Sequence, residues 1–392
     1  MKASRPLLRP LLALLCLALL AACRPASPAA PVTPAAAPDL PAEAELRQAA
    51  DTAFSQGDWA AAGAALEGLL ALRPDDAASR YRLALLLAAE DPGAARAPLE
   101  QAAALDPALE APAQALLQSL RVAGRCPDPA CALVESGRGL AGLEEWSLAA
   151  RAFERAASLR PDYAEAWAFL GEALQHLPAP AASQREAALT ALIKALELDP
   201  DSVSTYLLLS LYWQRQGHYG RGLDYARQAA ELDPLSPAAV SESGACLART
   251  GDLPAALEAY RRAAALAPRD PAYLRLLAAF TLEYDHQVRE AGLPAARRAV
   301  LLNPDDPASP VVLGQVLFKL GDLTGAERFF RRALELDPAF APAHLHLGLV
   351  HLLQEDPAAA YEQFSLARSL ASGTPLAEQA ERLIASNFQR LP

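Results

Sequence analysis

No zinc-protease motif, phosphate-binding glycine loop or nucleophile elbow occurs in the 392 residues, and Ser, His and Asp are scattered rather than gathered. Those chemistries therefore have no visible apparatus, and the chain is expected not to be an enzyme. Basic charge is scarce: 35 Lys and Arg face 46 Asp and Glu, for a net charge of −11, and no basic stripe with interleaved aromatics appears. An acidic surface argues against nucleic acid or anionic headgroups as the main partner. No long apolar run opens the chain either, since Leu11 to Ala22 is too short to cross a bilayer as a helix. Alanine and leucine dominate, a composition suited to helix packing.

What the chain has is a period. Prolines end the dipeptides Arg73-Pro74, Asp106-Pro107, Arg160-Pro161, Asp199-Pro200, Asp233-Pro234, Ala267-Pro268, Asn303-Pro304 and Asp337-Pro338, spaced by 33, 54, 39, 34, 34, 36 and 34 residues. A repeat near 34 means one supersecondary unit copied many times, each burying its apolar face only by stacking on its neighbours. Between Pro200 and Pro234 lie two apolar-periodic stretches separated by Gly217, hence helix, turn, helix. The proline then ends the second helix, because it lacks an N–H and biases the preceding residue away from helical angles.

These offsets resemble the tetratricopeptide repeat family. The glycine of its first helix appears as Gly137, Gly171, Gly244, Gly314 and Gly348. Its small residue early in the second helix appears as Ala62, Ala149, Ala188, Ala256, Ala326 and Ala360, and a later alanine as Ala156, Ala195, Ala229, Ala263, Ala299, Ala333 and Ala367. The turn signature recurs in Gly57-Asp58-Trp59, Gly251-Asp252-Leu253 and Gly321-Asp322-Leu323. The resemblance covers 43 to about 374 and implies an all-α, right-handed α-solenoid of about nine helix-turn-helix units. The 54-residue interval holds an extra helix near 109–121 and an irregular loop, 122–129, expected to divide an amino-terminal segment, 43–121, from the main array, 130–374. A capping helix and tail, 375–392, should close the stack with a polar outer face. Prolines at 178 and 180 mark an insertion in the fourth unit, and the seventh lengthens its turn around Asp285 to Glu290.

The amino terminus bears on location. Lys2, Arg5 and Arg9 precede the Leu11–Ala22 run, so residues 1–22 read as an export signal. Its end, Leu20-Ala21-Ala22-Cys23, resembles the lipobox of bacterial lipoproteins, which implies cleavage before Cys23, lipidation of that cysteine and anchoring to a cell membrane or outer membrane with the array outside the cytoplasm. Loss of the three positive residues would take the charge from −11 to −14. Residues 24–42 carry a proline every three or four positions and form an extended stalk.

Cys126 and Cys131 flank Pro127 and Pro129 in the irregular loop; they either close a disulfide, as extracytoplasmic thiols can, or stay free. Cys246, beside Gly244, reads as a small core residue. Gly137-Arg138-Gly139-Leu140-Ala141-Gly142 has dinucleotide-fingerprint spacing without the strand that motif requires. His344 and His351 share a helix face two turns apart, about 10.5 Å, too far for one metal ion. No metal, cofactor or small-molecule substrate is expected.

In the family the first helix of each unit lines a concave groove that holds partner proteins or peptides. The resemblance places in it Arg47, Asp51 and Phe54; Tyr81 and Leu85; Val134 and Arg138; Glu172 and Gln175. Later units supply Leu207, Leu211 and Gln214; Ser241 and Arg249; Arg275, Leu282 and Glu283; Val311, Gln315 and Phe318. Leu345, Leu349 and Leu352 of the last unit either line the groove or pack against the terminal cap. Asparagine occurs only at 303 and 387, outside the groove, so neither a carboxylate clamp nor an asparagine ladder is expected. An apolar or amphipathic partner segment fits better. The expected function is a lipid-tethered scaffold for envelope assembly, secretion, pilus or cell-wall work. The alternatives are a targeting arm of an envelope enzyme complex and a structural spacer.

Overall fold

A computed structural model describes residues 40–177 and 181–388. The export signal, Cys23, the stalk as far as 39, prolines 178 and 180 and the tail beyond 388 lie outside the described residues. Among those described there are twenty α-helices and no strand. In chain order these are α1 (Leu40–Gln56), α2 (Trp59–Leu72), α3 (Ala77–Glu90), α4 (Pro92–Leu105), α5 (Glu110–Ala123), α6 (Pro129–Gly142) and α7 (Trp146–Leu159). Then follow α8 (Ala164–Gln175), α9 (Ala182–Leu198), α10 (Val203–Arg215), α11 (Tyr219–Leu232), α12 (Pro237–Thr250), α13 (Leu253–Leu266) and α14 (Pro271–Glu283). The last are α15 (Leu293–Leu302), α16 (Ala308–Lys319), α17 (Leu323–Leu336), α18 (Ala341–Leu353), α19 (Pro357–Leu370) and α20 (Pro375–Phe388). Paired in order, with α5 and α20 left over, they make nine helix-turn-helix units.

The residue before each of the eight prolines adopts nearly the same backbone. From Arg73 to Asp337, φ lies between −118° and −141° and ψ between 65° and 109°. Each N–H still closes the last helical bond, as Asp233 N to Ala229 O at 3.0 Å does, and the proline that follows cannot continue the ladder. The inner turn is made differently. Gly251 (φ 91°) and Gly321 (φ 84°) end α12 and α16 in the left-handed region, whereas Glu144 (φ 62°) and Glu355 (φ 59°) hold the corresponding place after α6 and α18 against the steric preference of a side chain.

The chain divides into two compact units after Arg80, inside α3. In the first, α1 packs on α2 through Ala50, Ala53, Ala62, Ala65, Leu66 and Leu69, all buried. Asp58 caps α2 by accepting from Ala61 N at 3.0 Å. The second unit, from Tyr81, is a solenoid of stacked hairpins in which each helix packs chiefly on its neighbours in sequence. The extra helix α5, two residues further along than expected at its end, packs on α4 and on α6. The loop at 122–129 is therefore bridged, and no boundary between compact units falls there. Pro375–Phe388 packs on α19 and carries Glu381, Arg382, Ser386 and Asn387 on its exposed side.

Volume is matched inside each hairpin. A methyl group on Gly137, Gly314 or Gly348 would lie 2.6, 2.5 and 2.6 Å from Cε1 of Phe153, Phe330 and Phe364, each sixteen residues later in the chain and fully buried. At Gly171 the same role falls to Leu192, 2.6 Å away, after the insertion of the fourth unit. In the fifth unit Ser210 stands where others have glycine, and Ala226 replaces the large partner. Gly222 replaces the usual alanine, since a methyl there would meet Gln214 Cγ at 3.1 Å, Cys246 Sγ at 3.2 Å and Ser210 O at 3.2 Å. The two extra residues of the seventh unit are absorbed by a π-helical turn, Val288–Gly292, before α15.

Candidate functional site

The glycines of the fingerprint-like 137–142 segment lie on α6, and two of them serve packing: Gly137 accommodates Phe153, and a methyl on Gly139 would be 2.6 Å from Ser119 Cβ, whereas one on Gly142 would meet nothing. Cys246 is fully buried, and burial pushes its thiol up to about 11. Cys126 and Cys131 are joined by a disulfide, with Cα atoms 5.6 Å apart. Asp128 inside that loop accepts from Cys131 N at 2.9 Å and pairs with Arg160 at 2.6 Å. Beside the loop a cleft of about 470 Å³ opens between α4, α5, α6 and α7. The Glu90 carboxylate on its wall is held between Arg151 Nε, at 2.7 Å, and Arg155.

In the first hairpin Arg47 bonds Glu43 at 3.0 Å and Asp76 at 2.6 Å, and Phe54 meets Trp59 edge to face at 5.8 Å. Further along, Leu85, Val134 and Val311 are buried core rather than surface, because their helix face turns toward the neighbouring helices. Tyr81 is half-buried, and burial followed by the charge of Glu145 raises its phenol. Arg138 pairs with Glu135 at 3.2 Å and sits 5.5 Å over the ring of Phe169. Ser241 is buried and donates to Ala238 O.

From α8 onward the first helices are laced together by polar side chains. Glu172 on α8 takes both guanidinium ends of Arg215 on α10, at 3.0 and 2.9 Å, while Gln175 accepts from Arg215 at 3.0 Å. Burial works to raise Glu172, but hydrogen bonds and charge from Arg215, with His176, hold it below the ordinary carboxylate range. His176 stacks on Trp146 at 3.8 Å. Gln214 and Ser210 on α10 donate to Glu242 on α12. Arg249 pairs with Glu283 at 3.2 Å, Arg275 with Asp306, and Gln315 on α16 bonds His346 on α18. Leu207, Leu211, Leu282 and Phe318 stay half-buried between these locks.

The apolar end closes. Leu345 is 2% exposed and forms one cluster with Phe364 of α19 and Ala380 and Phe388 of α20, against which Leu349, Leu352, Leu383 and Ile384 also pack. Leu345 is thus core at the cap, while Leu349 and Leu352 pack against that cluster and stay half-buried. Glu242, His346 and the Trp146–His176 stack are the residues that sequence reasoning missed; the one signal for the first was Ser210 at a glycine position.

His346 is stacked on Phe330 at 5.5 Å, and burial pushes it down to about 4. The unfolded chain thus takes up a proton before the folded one, so the stability gained with neutral His346 is complete above about pH 6.5 and is lost as pH falls toward 4. Thermal melts across that range should show a falling Tm, flatter in His346→Phe; parallel profiles would count against it.

Stacked helical hairpins with interlocked surface side chains define a helical-repeat scaffold. Tetratricopeptide repeat models match residues 134–183 and 207–271, and a further TPR repeat model matches 314–354. Over those residues the chain thus carries tetratricopeptide-type repeats. Comparison with curated proteins found no match. Among solved structures, the human IFIT1 dimer with PPP-AAAA is 17% identical, covering 79% of this chain and 81% of that chain with a TM-score of 0.52. Yeast Tom70 is 17% identical over 88% of each chain, TM-score 0.46. Pseudomonas aeruginosa pilF is 18% identical over 57% of this chain and 99% of that one, TM-score 0.42. At these identities the likeness is one of fold alone. Among the described residues no helix is long and apolar enough to cross a membrane, and no three potential metal ligands gather.

Proposed function

We propose that this chain is a scaffold, lipid-tethered on the outer side of a bacterial membrane, that holds partner proteins or peptides along the first helices of its repeats in envelope assembly, secretion, pilus or cell-wall machinery. The observation that carries the binding reading is the α10 face Leu207–Ser210–Leu211–Gln214, whose leucines stay half-buried between fixed polar contacts. Rigid apolar positions framed by satisfied polar ones are what a partner's apolar anchor needs. The Leu20-Ala21-Ala22-Cys23 motif supports the tether, and the Cys126–Cys131 disulfide supports an oxidising compartment.

Crosslinking in native membranes, followed by recovery of joined proteins, tests the binding. Leu207→Asp with Leu211→Asp should cut recovery about tenfold or more with unchanged helical circular dichroism. Unchanged recovery leaves a spacer, and turnover of an envelope component by the recovered complex would favour an enzyme's targeting arm. Labelled fatty acid should enter the wild type and not Cys23→Ala.

A further inference from the structure

Charges that reach from one of these first helices toward the next are mostly paired. Glu172 has Arg215, Arg249 has Glu283, and Arg275 has Asp306. Among the described residues no cation bonds Glu242. Both of its hydrogen bonds, from the Ser210 hydroxyl and the Gln214 amide, end on Oε1, their donors are neutral, and Oε2 accepts none. Arg215, whose charge reaches Glu242, is committed to Glu172 and Gln175. Burial raises the Glu242 carboxyl against the hydrogen bonds from Ser210 and Gln214 and the charge of Arg215, so a further positive group beside it would favour its ionised form.

Ser210 occupies a position that is glycine in five other units, and Gly222 leaves room beside it for Gln214 and Cys246. The same stripe of α10 presents Leu207 and Leu211, half-buried, and Leu276 on α14, the next first helix but one, stays 44% exposed. With no group of three metal ligands among the described residues, an inorganic ion has nothing further to bind.

Resting on the groove reading above, we propose that Glu242 seats a cationic side chain of the bound segment, so that the partner presents a lysine or arginine between apolar anchors. Oε2 receives the ammonium or guanidinium while Oε1 remains held by Ser210 and Gln214. Such a charge-assisted bond, made beside apolar contacts, is stronger than a neutral one and decides which amphipathic segment is accepted.

Fluorescence anisotropy on the full chain tests this with three probes: a leucine–lysine amphipathic peptide and its counterparts with every lysine changed to glutamine or to glutamate. The wild type should bind the lysine peptide about tenfold tighter than the glutamine peptide, and the glutamate peptide weakest. Glu242→Gln, whose amide oxygen keeps both hydrogen bonds, should abolish that preference and leave glutamine-peptide affinity unchanged. Glu258→Gln, the same change of net charge at an exposed position of the second helix α13, should keep it. A preference that survives Glu242→Gln, or is lost equally in Glu258→Gln, overturns the assignment. Equal wild-type binding of lysine and glutamine peptides also overturns it while leaving the groove reading intact; binding of none of the three by the wild type removes both.

Discussion

Phe330→Ala should destabilise the protein by about 3–5 kcal/mol, the usual range for a fully buried aromatic ring. The reason is specific to the hairpin. Phe330 lies against the bare backbone of Gly314 on one side and the His346 ring on the other, so truncation leaves a hole that no neighbouring side chain can fill. Gly314→Ala alone should also destabilise, by about 1–3 kcal/mol, because its methyl would stand 2.5 Å from Cε1 of Phe330. In the Phe330→Ala background the sign should reverse. The methyl then enters vacated space, and alanine brings roughly 1 kcal/mol of helix propensity over glycine. Chemical denaturation of the two single variants and the double variant gives the cycle; a double variant less stable than Phe330→Ala would refute the pairing. Because each unit is supported only by its neighbours, hydrogen exchange should rise first in α16 to α19 and leave α6 to α9 protected.

The same pairing marks what could be read in the chain beforehand. Eight prolines at nearly one period, with glycine and alanine at fixed offsets, imply stacked helical hairpins, because each device acts within a single hairpin: the proline ends it, the glycine lets its two helices close. Contacts between hairpins were not legible. Glu172–Arg215, Gln315–His346 and Gln214–Glu242 join residues 43, 31 and 28 apart, and no pattern along one helix shows which of its polar residues will meet the next. Leu345, Leu349 and Leu352 mislead for a related reason, since an apolar stripe looks alike whether a partner or the chain's own last helix covers it. Ser210 was visible as a break in the glycine series, but its meaning depends on Glu242, 32 residues further along.

Loss of the Cys126–Cys131 bond is expected to lower stability by about 2 kcal/mol, the chain-entropy value for a closed loop this short. The effect should be concentrated where the repeat is interrupted. The bond spans the step from α5 to α6, a connection longer than the turns between regular units, and Asp128 within it both caps α6 and pairs with Arg160 at the end of α7. Freed, the loop regains conformers that the bond now forbids in the unfolded chain, while α5 still has α4 and α6 to pack on. Reduction should therefore lower Tm without unfolding the array at ordinary temperature, and Cys126→Ser with Cys131→Ser should reproduce the shift and make Tm indifferent to reductant. Cys246 is a free thiol, so among the described residues the reductant has no second disulfide to cleave. Equal melting of oxidised and reduced protein would mean that the loop is held by Asp128 and its partners, with no contribution from the bond.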